Sequence, residues 1–192
     1  GEGQHIDMSL LDVGMAILAN QAAGFLATGN APTRQGNSHP SLAPYQDFPT
    51  QDGSMLLAIG NDGQFSRFCQ AAGKPEWSQD ARFKGMAARV RNREALVALM
   101  EEVTRTRTTA QWIALLEDKA VPCGPINNLG EVFADPQVIA RGMTVEMPHP
   151  LAGSVKLVAS PIRFSGTPVT YRRPPPLLGQ HSDAILAELG YG

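Results

Sequence analysis

The sequence predicts a mixed fold of the α+β kind, in which short antiparallel strands pack with helices. Two patterns carry this reading. Strand-like runs occur in two pairs, Tyr45–Phe48 with Met55–Ile59 and Met143–Met147 with Ser154–Val158, each pair joined by a short turn-forming segment. Around them, apolar residues recur at helical spacing behind recognisable capping residues. A chain of 192 residues with 43% hydrophobic and 18% charged residues buries roughly 70% of its unfolded surface and needs no disulfide framework.

Ser9-x-x-Asp12 has the form of a capping box and opens an Ala/Leu-rich helix from Leu10 to about Thr28, with Gly29 as its stop. Leu10, Leu11, Met15, Ile17, Leu18, Phe25 and Leu26 nearly encircle it, so it is expected to be buried on most sides. Asn30 to Pro44 is a loop by composition, long for a connection, and long ordered loops carry function more often than short ones. Asp52-Gly53 signals the first hairpin turn, and Pro49 makes its first strand short or an edge. Asp62 is expected to cap a helix whose inner face carries Phe65, Phe68, Cys69 and Ala72, ended by Gly73. Asn92 precedes a helix with Leu96, Leu99, Met100 and Val103 inward. Thr108-x-x-Gln111 is a capping box for another, with Trp112, Leu115 and Leu116 inward. Val121–Ile126 is a rigid extended segment, and Leu129–Ala134 and Pro136–Arg141 are short helical turns, the second opening on proline. Ile162–Phe164 is expected to extend the last strand, Arg172–Pro176 to form an extended linker, and Ser182 to cap a helix carrying Ile185, Leu186 and Leu189 that stops at Gly190.

Several function classes are excluded. A net charge of −2 predicts no general attraction to nucleic acid or to an anionic membrane surface. No apolar run approaches the roughly 20 residues of a membrane span. Arg89, Arg91 and Arg93 read as a solvated face, and Cys69 and Cys123 as reduced thiols of a cytoplasmic protein. His5, His39, His149 and His181 are far apart, and none has a second ligand at metal spacing. There is no nucleophile elbow, Walker loop or dinucleotide glycine fingerprint. Gly60-Asn61-Asp62-Gly63 sits where backbone N–H groups can take an anion, but reads more simply as a strand-to-helix turn. Cys123 lacks the helix start or neighbouring cation that activates a thiol, so it reads as packing. Asp12 is accounted for by helix-start electrostatics, and Asp7, beside His5, by local backbone bonding. The polar entry Gly1-Glu2-Gly3-Gln4-His5-Ile6-Asp7 has no initiator Met, basic leader or signal core, so part of the working protein is expected outside these residues.

Beyond this point a resemblance carries the reading. Gly3-Gln4-His5-Ile6-Asp7-Met8-Ser9-Leu10-Leu11-Asp12 resembles a stretch of the class III CoA-transferases, a family that includes formyl-CoA transferase, the carnitine and bile-acid CoA-transferases and the α-methylacyl-CoA racemases. The likeness continues, in order, through Arg34–Pro40, Ala43–Gln46, Phe48–Gly53, Ala58–Asp62, Val121–Ile126, Asp135–Gln137, Ala140–Met143, Ser160–Ser165 and Pro176–Ser182. It spans nearly the whole chain.

The resemblance implies two interlocked chains, each with a Rossmann-type α/β large domain and a smaller domain. Residues 1–29 would then be a helix connecting from the large domain, 30–44 a linker and active-site loop, 45–168 the small domain, and 169–192 a Pro-rich linker and helix returning to the large domain. It implies a CoA thioester as substrate rather than a tightly bound cofactor, with an acyl-CoA, a carboxylate acceptor and a second copy of the chain as partners. An Asp of the large domain would attack the thioester to give a mixed anhydride and then an aspartyl-CoA thioester. That Asp lies upstream of the segment matching Gly1, so no catalytic residue is expected here and the chain alone is expected to be inactive. The Gly-rich loop that closes over it in formyl-CoA transferase-like members aligns with Gly36-Asn37-Ser38-His39-Pro40-Ser41, where one glycine is present. Gly36, Asn37 and His39 are therefore the candidate pocket residues, and His39 is read in two ways, as a donor that orients the carboxylate of a dicarboxylic acyl group or as an ordinary loop histidine at the surface. A racemase-like fragment and a non-catalytic interlocking module are the alternative readings.

Overall fold

The N-terminal helix breaks where its sequence is weakest. In the computed structural model, which describes residues 3–191, it is two helices, α1 (Leu10–Ala16) and α2 (Ala19–Thr28), bent by 77°. Gly14 and the β-branched Val13 and Ile17 have low helix propensity, and Ala19 takes φ 44, turning the chain. Neither helix buries a residue, against the expectation from its apolar circumference. Leu10 is 92% exposed and Leu26 81%. Met15, Leu18, Ala22, Phe25, Leu26 and Ala31 line an apolar hollow of about 390 Å³. The Ser9 hydroxyl accepts the Asp12 N–H at 3.1 Å, as the capping pattern implied. Gly1 and Glu2 of the polar entry, and Gly192, lie outside the described residues.

The chain forms two compact units, Gly1–Ile126 and Asn127–Gly192. In the first, β1 (Tyr45–Pro49) and β2 (Ser54–Ala58) make the expected hairpin, paired from Tyr45↔Ala58 to Pro49↔Ser54 and closed by Thr50 N–H donating to Gly53 O at 2.9 Å. β3 (Cys123–Pro125) adds antiparallel to the far side of β2. Met55 and Leu57 are buried and Leu56 between them is exposed, the period of two that one covered face requires. Pro49 ends the outer strand β1, where its missing N–H interrupts no ladder.

Helices cover that face. α3 (Asp62–Ala71) buries Phe65, Phe68 and Cys69. Its cap is Asn61, whose side chain accepts the Gln64 N–H, and not Asp62. The shift by one residue leaves the Asp62 carboxylate available elsewhere. Gly73, at φ 70, turns the chain out of the helix. A 3-10 turn (Pro75–Ser78) follows, then α4 (Met86–Arg91), α5 (Arg93–Thr104) and α6 (Thr109–Glu117). Asn92 is the boundary residue of both α4 and α5, and its side chain bonds back, donating to Ala88 O and Arg82 O, with no cap bond to α5. Leu96 and Met100 are buried, with Leu99 and Val103 packed against the core. The Thr108–Gln111 capping box forms, and the buried Trp112 donates from Nε1 to Thr104 O at 2.7 Å. Asp52 in the hairpin accepts the Thr109 N–H at 2.8 Å, a bond that, with those from the Thr109 and Thr50 hydroxyls, holds its carboxyl below the usual carboxylate range.

The arginines are not a solvated face. Arg91 is exposed, Arg93 is half-buried and Arg89 is fully buried. Arg89 Nε donates to Ala43 O at 2.8 Å, Nη1 to Phe83 O at 3.1 Å and Nη2 to Asp62 Oδ1 at 2.7 Å. Its guanidinium lies 4.5 Å from the centre of the Phe65 ring. A buried cation is tolerable only with such pairing.

In the second unit, α7 (Leu129–Ala134) opens on an Asn128–Glu131 capping box, and α8 (Pro136–Ala140) on Asp135 followed by proline. β4 (Thr144–His149) and β5 (Gly153–Val158) pair antiparallel. Ile162–Phe164 does not extend β5 and is irregular, the Ser160 hydroxyl accepting the Ile162 N–H in place of a strand partner. In α9 (Ser182–Glu188) Ser182 is the first helical residue and His181 the cap, without a side-chain bond.

Replacing Arg89 with Met strands the Ala43 and Phe83 carbonyls, and we expect a loss of about 2–4 kcal/mol in urea unfolding. Asp62→Asn is expected to cost less than about 1 kcal/mol, because the Asp62 side chain is 68% exposed. Equal effects would show that the ion pair, not the carbonyl contacts, dominates.

Candidate functional site

The candidate residues Gly36, Asn37 and His39 share one turn that runs back along β1. Ser38 N–H donates to Gln35 O at 3.2 Å, with Gly36 between them at φ 59, a value that favours glycine. Three contacts then follow in antiparallel order. Asn37 Nδ2 donates to Asp47 Oδ1 at 3.3 Å, Ser38 Oγ to Gln46 Oε1 at 3.0 Å, and His39 N–H to Tyr45 O at 2.9 Å. Gly36 and Asn37 are exposed, and Ser38, His39 and Pro40 half-buried.

The His39 imidazole is held from two sides. It stacks on Tyr45, with ring centres 5.1 Å apart and planes within 7°. Its Nδ1 accepts the Ser41 N–H at 3.1 Å. In a neutral ring, an Nδ1 that accepts leaves the proton on Nε2. The network therefore assigns the tautomer with an Nε2–H donor, which has no acceptor among the described residues.

The loop's backbone is fastened by the two arginines that the sequence reading placed in solvent. Arg89 takes the Ala43 carbonyl, and Arg93 Nη2 donates to His39 O at 2.6 Å, Leu42 O at 3.2 Å and Pro40 O at 3.4 Å. Arg93, Ser38, Gln46, Glu94 and Glu101 line a hollow of about 370 Å³ beside the loop. A signal for Arg93 was present: it is the first residue of α5, where a helix disfavours a cation, so a cation kept there has other partners. Tyr45 carried no such signal, since its stacking depends on the loop folding back.

The other sequence candidates lie apart from this turn. His5, Asp7 and Asp12 are exposed near the N-terminus. Gly60 N–H donates to Gln64 Oε1 at 2.7 Å and Gln64 N–H to Asn61 Oδ1 at 2.9 Å, so these N–H groups serve a plain strand-to-helix turn. Both cysteines are free thiols. Burial pushes the Cys69 thiol up to about 12, and burial, with Glu117 nearby, also raises Cys123.

Comparison with known proteins gives a consistent picture. A family profile described as CoA-transferase family III matches residues 1–182. A succinate–glutarate CoA-transferase of Agrobacterium fabrum is 44% identical over 98% of this chain and 47% of its own length. A human succinyl-CoA:glutarate CoA-transferase is 39% identical over 98% of this chain and 43% of its own length. The crystal structure of a CAIB/BAIF family protein from Brucella suis superposes with a TM-score of 0.82 at 45% identity, covering 98% of this chain and 48% of that one. The chain thus spans about half the length of the relatives it matches.

A raised thiol is a poor nucleophile at neutral pH. With a thiol-specific disulfide reagent at pH 7.5, we expect Cys69 to react only on unfolding and Cys123 more slowly than a free thiol. A fast-reacting cysteine in the folded chain would contradict the burial described.

Proposed function

The chain belongs to CoA-transferase family III, and from that premise we propose that it supplies the carboxylate-recognition side of an acyl-CoA:carboxylate CoA-transferase site. The observation that carries the reading is the hold on His39: its imidazole stacks on Tyr45 and its Nδ1 accepts the Ser41 N–H, which in the neutral ring leaves Nε2–H as a donor. Short dicarboxylates, such as those in the names of the relatives, have one carboxylate that reacts and one that does not. A fixed N–H donor suits the second, because hydrogen bonds to a charged acceptor are the strong ones and set its position. Asn37, with its amide tied to Asp47, borders the same turn, and Gly36 gives the turn its shape.

The covalent work belongs, in this reading, to an Asp outside these 192 residues. Its carboxylate attacks the thioester carbonyl and the C–S bond breaks, releasing CoA thiolate and leaving an acyl-aspartyl anhydride. The thiolate attacks the aspartyl carbonyl, freeing the first carboxylate and forming an aspartyl thioester. The acceptor carboxylate attacks the aspartyl thioester carbonyl, the C–S bond breaks to release CoA thiolate again and a second anhydride forms; the thiolate then attacks its acyl carbonyl, giving the new acyl-CoA and freeing the Asp carboxylate. Splitting the transfer this way replaces one difficult step with several easier ones. Support comes from the relatives, which are about twice as long as this chain. The bare apolar surfaces of α1 and α2 fit a covering partner, either that further region or a second copy.

His39→Ala in the full-length enzyme should raise KM for a dicarboxylate acceptor roughly tenfold or more, from loss of one charge-assisted bond. An unchanged acceptor KM removes the role given to His39. The 192-residue chain alone should show no transfer from succinyl-CoA to glutarate, and turnover would contradict the external Asp. By light scattering that chain should exceed its monomer mass of 20.5 kDa. A monodisperse monomer counts against the covering partner.

A further inference from the structure

We infer that Arg93 is a positioning residue that sets the His39 imidazole by holding the backbone that carries it; its kinetic consequence rests on the acceptor-binding role proposed for His39. Three carbonyls from four consecutive residues, His39, Pro40 and Leu42, converge on the single Nη2 of Arg93. Nη2 has two N–H bonds, so at least one is shared, and the 2.6 Å contact to His39 O is the dominant one. For the carbonyls to converge, the chain must curl around the guanidinium. That curl is what brings the Ser41 N–H onto His39 Nδ1 and the ring onto Tyr45. The hydrogen bonds of Arg93 Nη2 all go to main-chain carbonyls, so it acts through the main chain.

The remainder of the side chain argues against a purely packing role. Arg93 Nη1 is buried without a hydrogen-bond partner, an arrangement that costs stability. A residue kept only for packing would be better served by an apolar side chain of similar size. The cationic fork is instead used where the loop needs it, and its partners all belong to the segment that orients His39. The site is also anchored away from the loop: α5 is held by the buried Leu96 and Met100, so the clamp is fixed to the core.

The test uses Arg93→Gln and Arg93→Lys in the full-length enzyme, each alone and with His39→Ala. Both replacements lose the planar fork, and Lys keeps the charge. We expect acceptor KM to rise about tenfold in Arg93→Gln and about threefold in Arg93→Lys, with acyl-CoA KM changed by less than about twofold, since a displaced contact affects only the ligand it touches. Adding either change to His39→Ala should produce no further rise in acceptor KM. Equal rises in both KM values, or additive effects in the double variants, overturn the inference, and Arg93→Lys alone decides it if Arg93→Gln does not fold. A second readout is independent of activity. Nitrogen NMR of the histidine rings should show His39 as the fixed Nε2–H tautomer in the wild type and a mixture of tautomers in Arg93→Gln. An unchanged ring spectrum overturns the positioning role whatever the kinetics. If instead His39→Ala leaves acceptor KM unchanged, the functional reading of His39 fails, and the ring spectrum still decides what Arg93 does.

Discussion

A guanidinium with no access to water must have its charge answered by the protein, and in this chain Arg89 finds its answers on three separate segments. The carbonyl of Ala43 closes the loop before β1, that of Phe83 lies before α4, and Asp62 opens α3. The ring of Phe65 supplies the face beneath. The segments are distant in sequence, so their common attachment is what gives the helical layer one arrangement over the sheet. The asymmetry of the ion pair matters: Arg89 is buried while Asp62 stays largely hydrated. The desolvation penalty therefore falls mainly on one partner, and neutral carbonyls offset most of it.

Arg93 continues this scheme four residues later. Where Arg89 fixes the base of the loop at Ala43, Arg93 holds its middle at residues 39–42. A loop with few apolar anchors keeps a defined shape because cations rooted in two helices grip its carbonyls. This is how a polar, half-exposed segment presents an imidazole in one orientation, a condition that any role in recognition demands.

Much of the fold was legible. The Asp52–Gly53 hairpin, the Thr108–Gln111 box, the inward Phe65, Phe68, Leu96, Met100 and Trp112, and the proline opening of α8 all follow from local chemistry that tertiary contacts do not override. The readings that failed did so where a distant partner decides. Arg89 and Arg93 look like surface residues until the loop that needs them folds back. Asp62 yields the cap to Asn61 because its carboxylate is wanted by a cation 27 residues on. The apolar residues of 10–28 promised burial, but pattern alone cannot say against what, and Gly14 and Ile17 let the helix bend. For the candidate site, Gly36, Asn37 and His39 were singled out by the loop's composition and its resemblance to a family; Tyr45 carried no signal, because its stacking exists only after folding, and Arg93 carried only the indirect one of a cation at a helix start.

The antiparallel run of contacts from Asn37 to Asp47, Ser38 to Gln46 and His39 to Tyr45 lies alongside β1, the outer strand of its sheet. An uncovered outer strand is a template for pairing with another chain, and here the Asn37–His39 segment is its shield. Loosening this segment therefore has a cost beyond the loop itself: it bares a sticky rim, so variants that disorder residues 37–39 should also aggregate more readily.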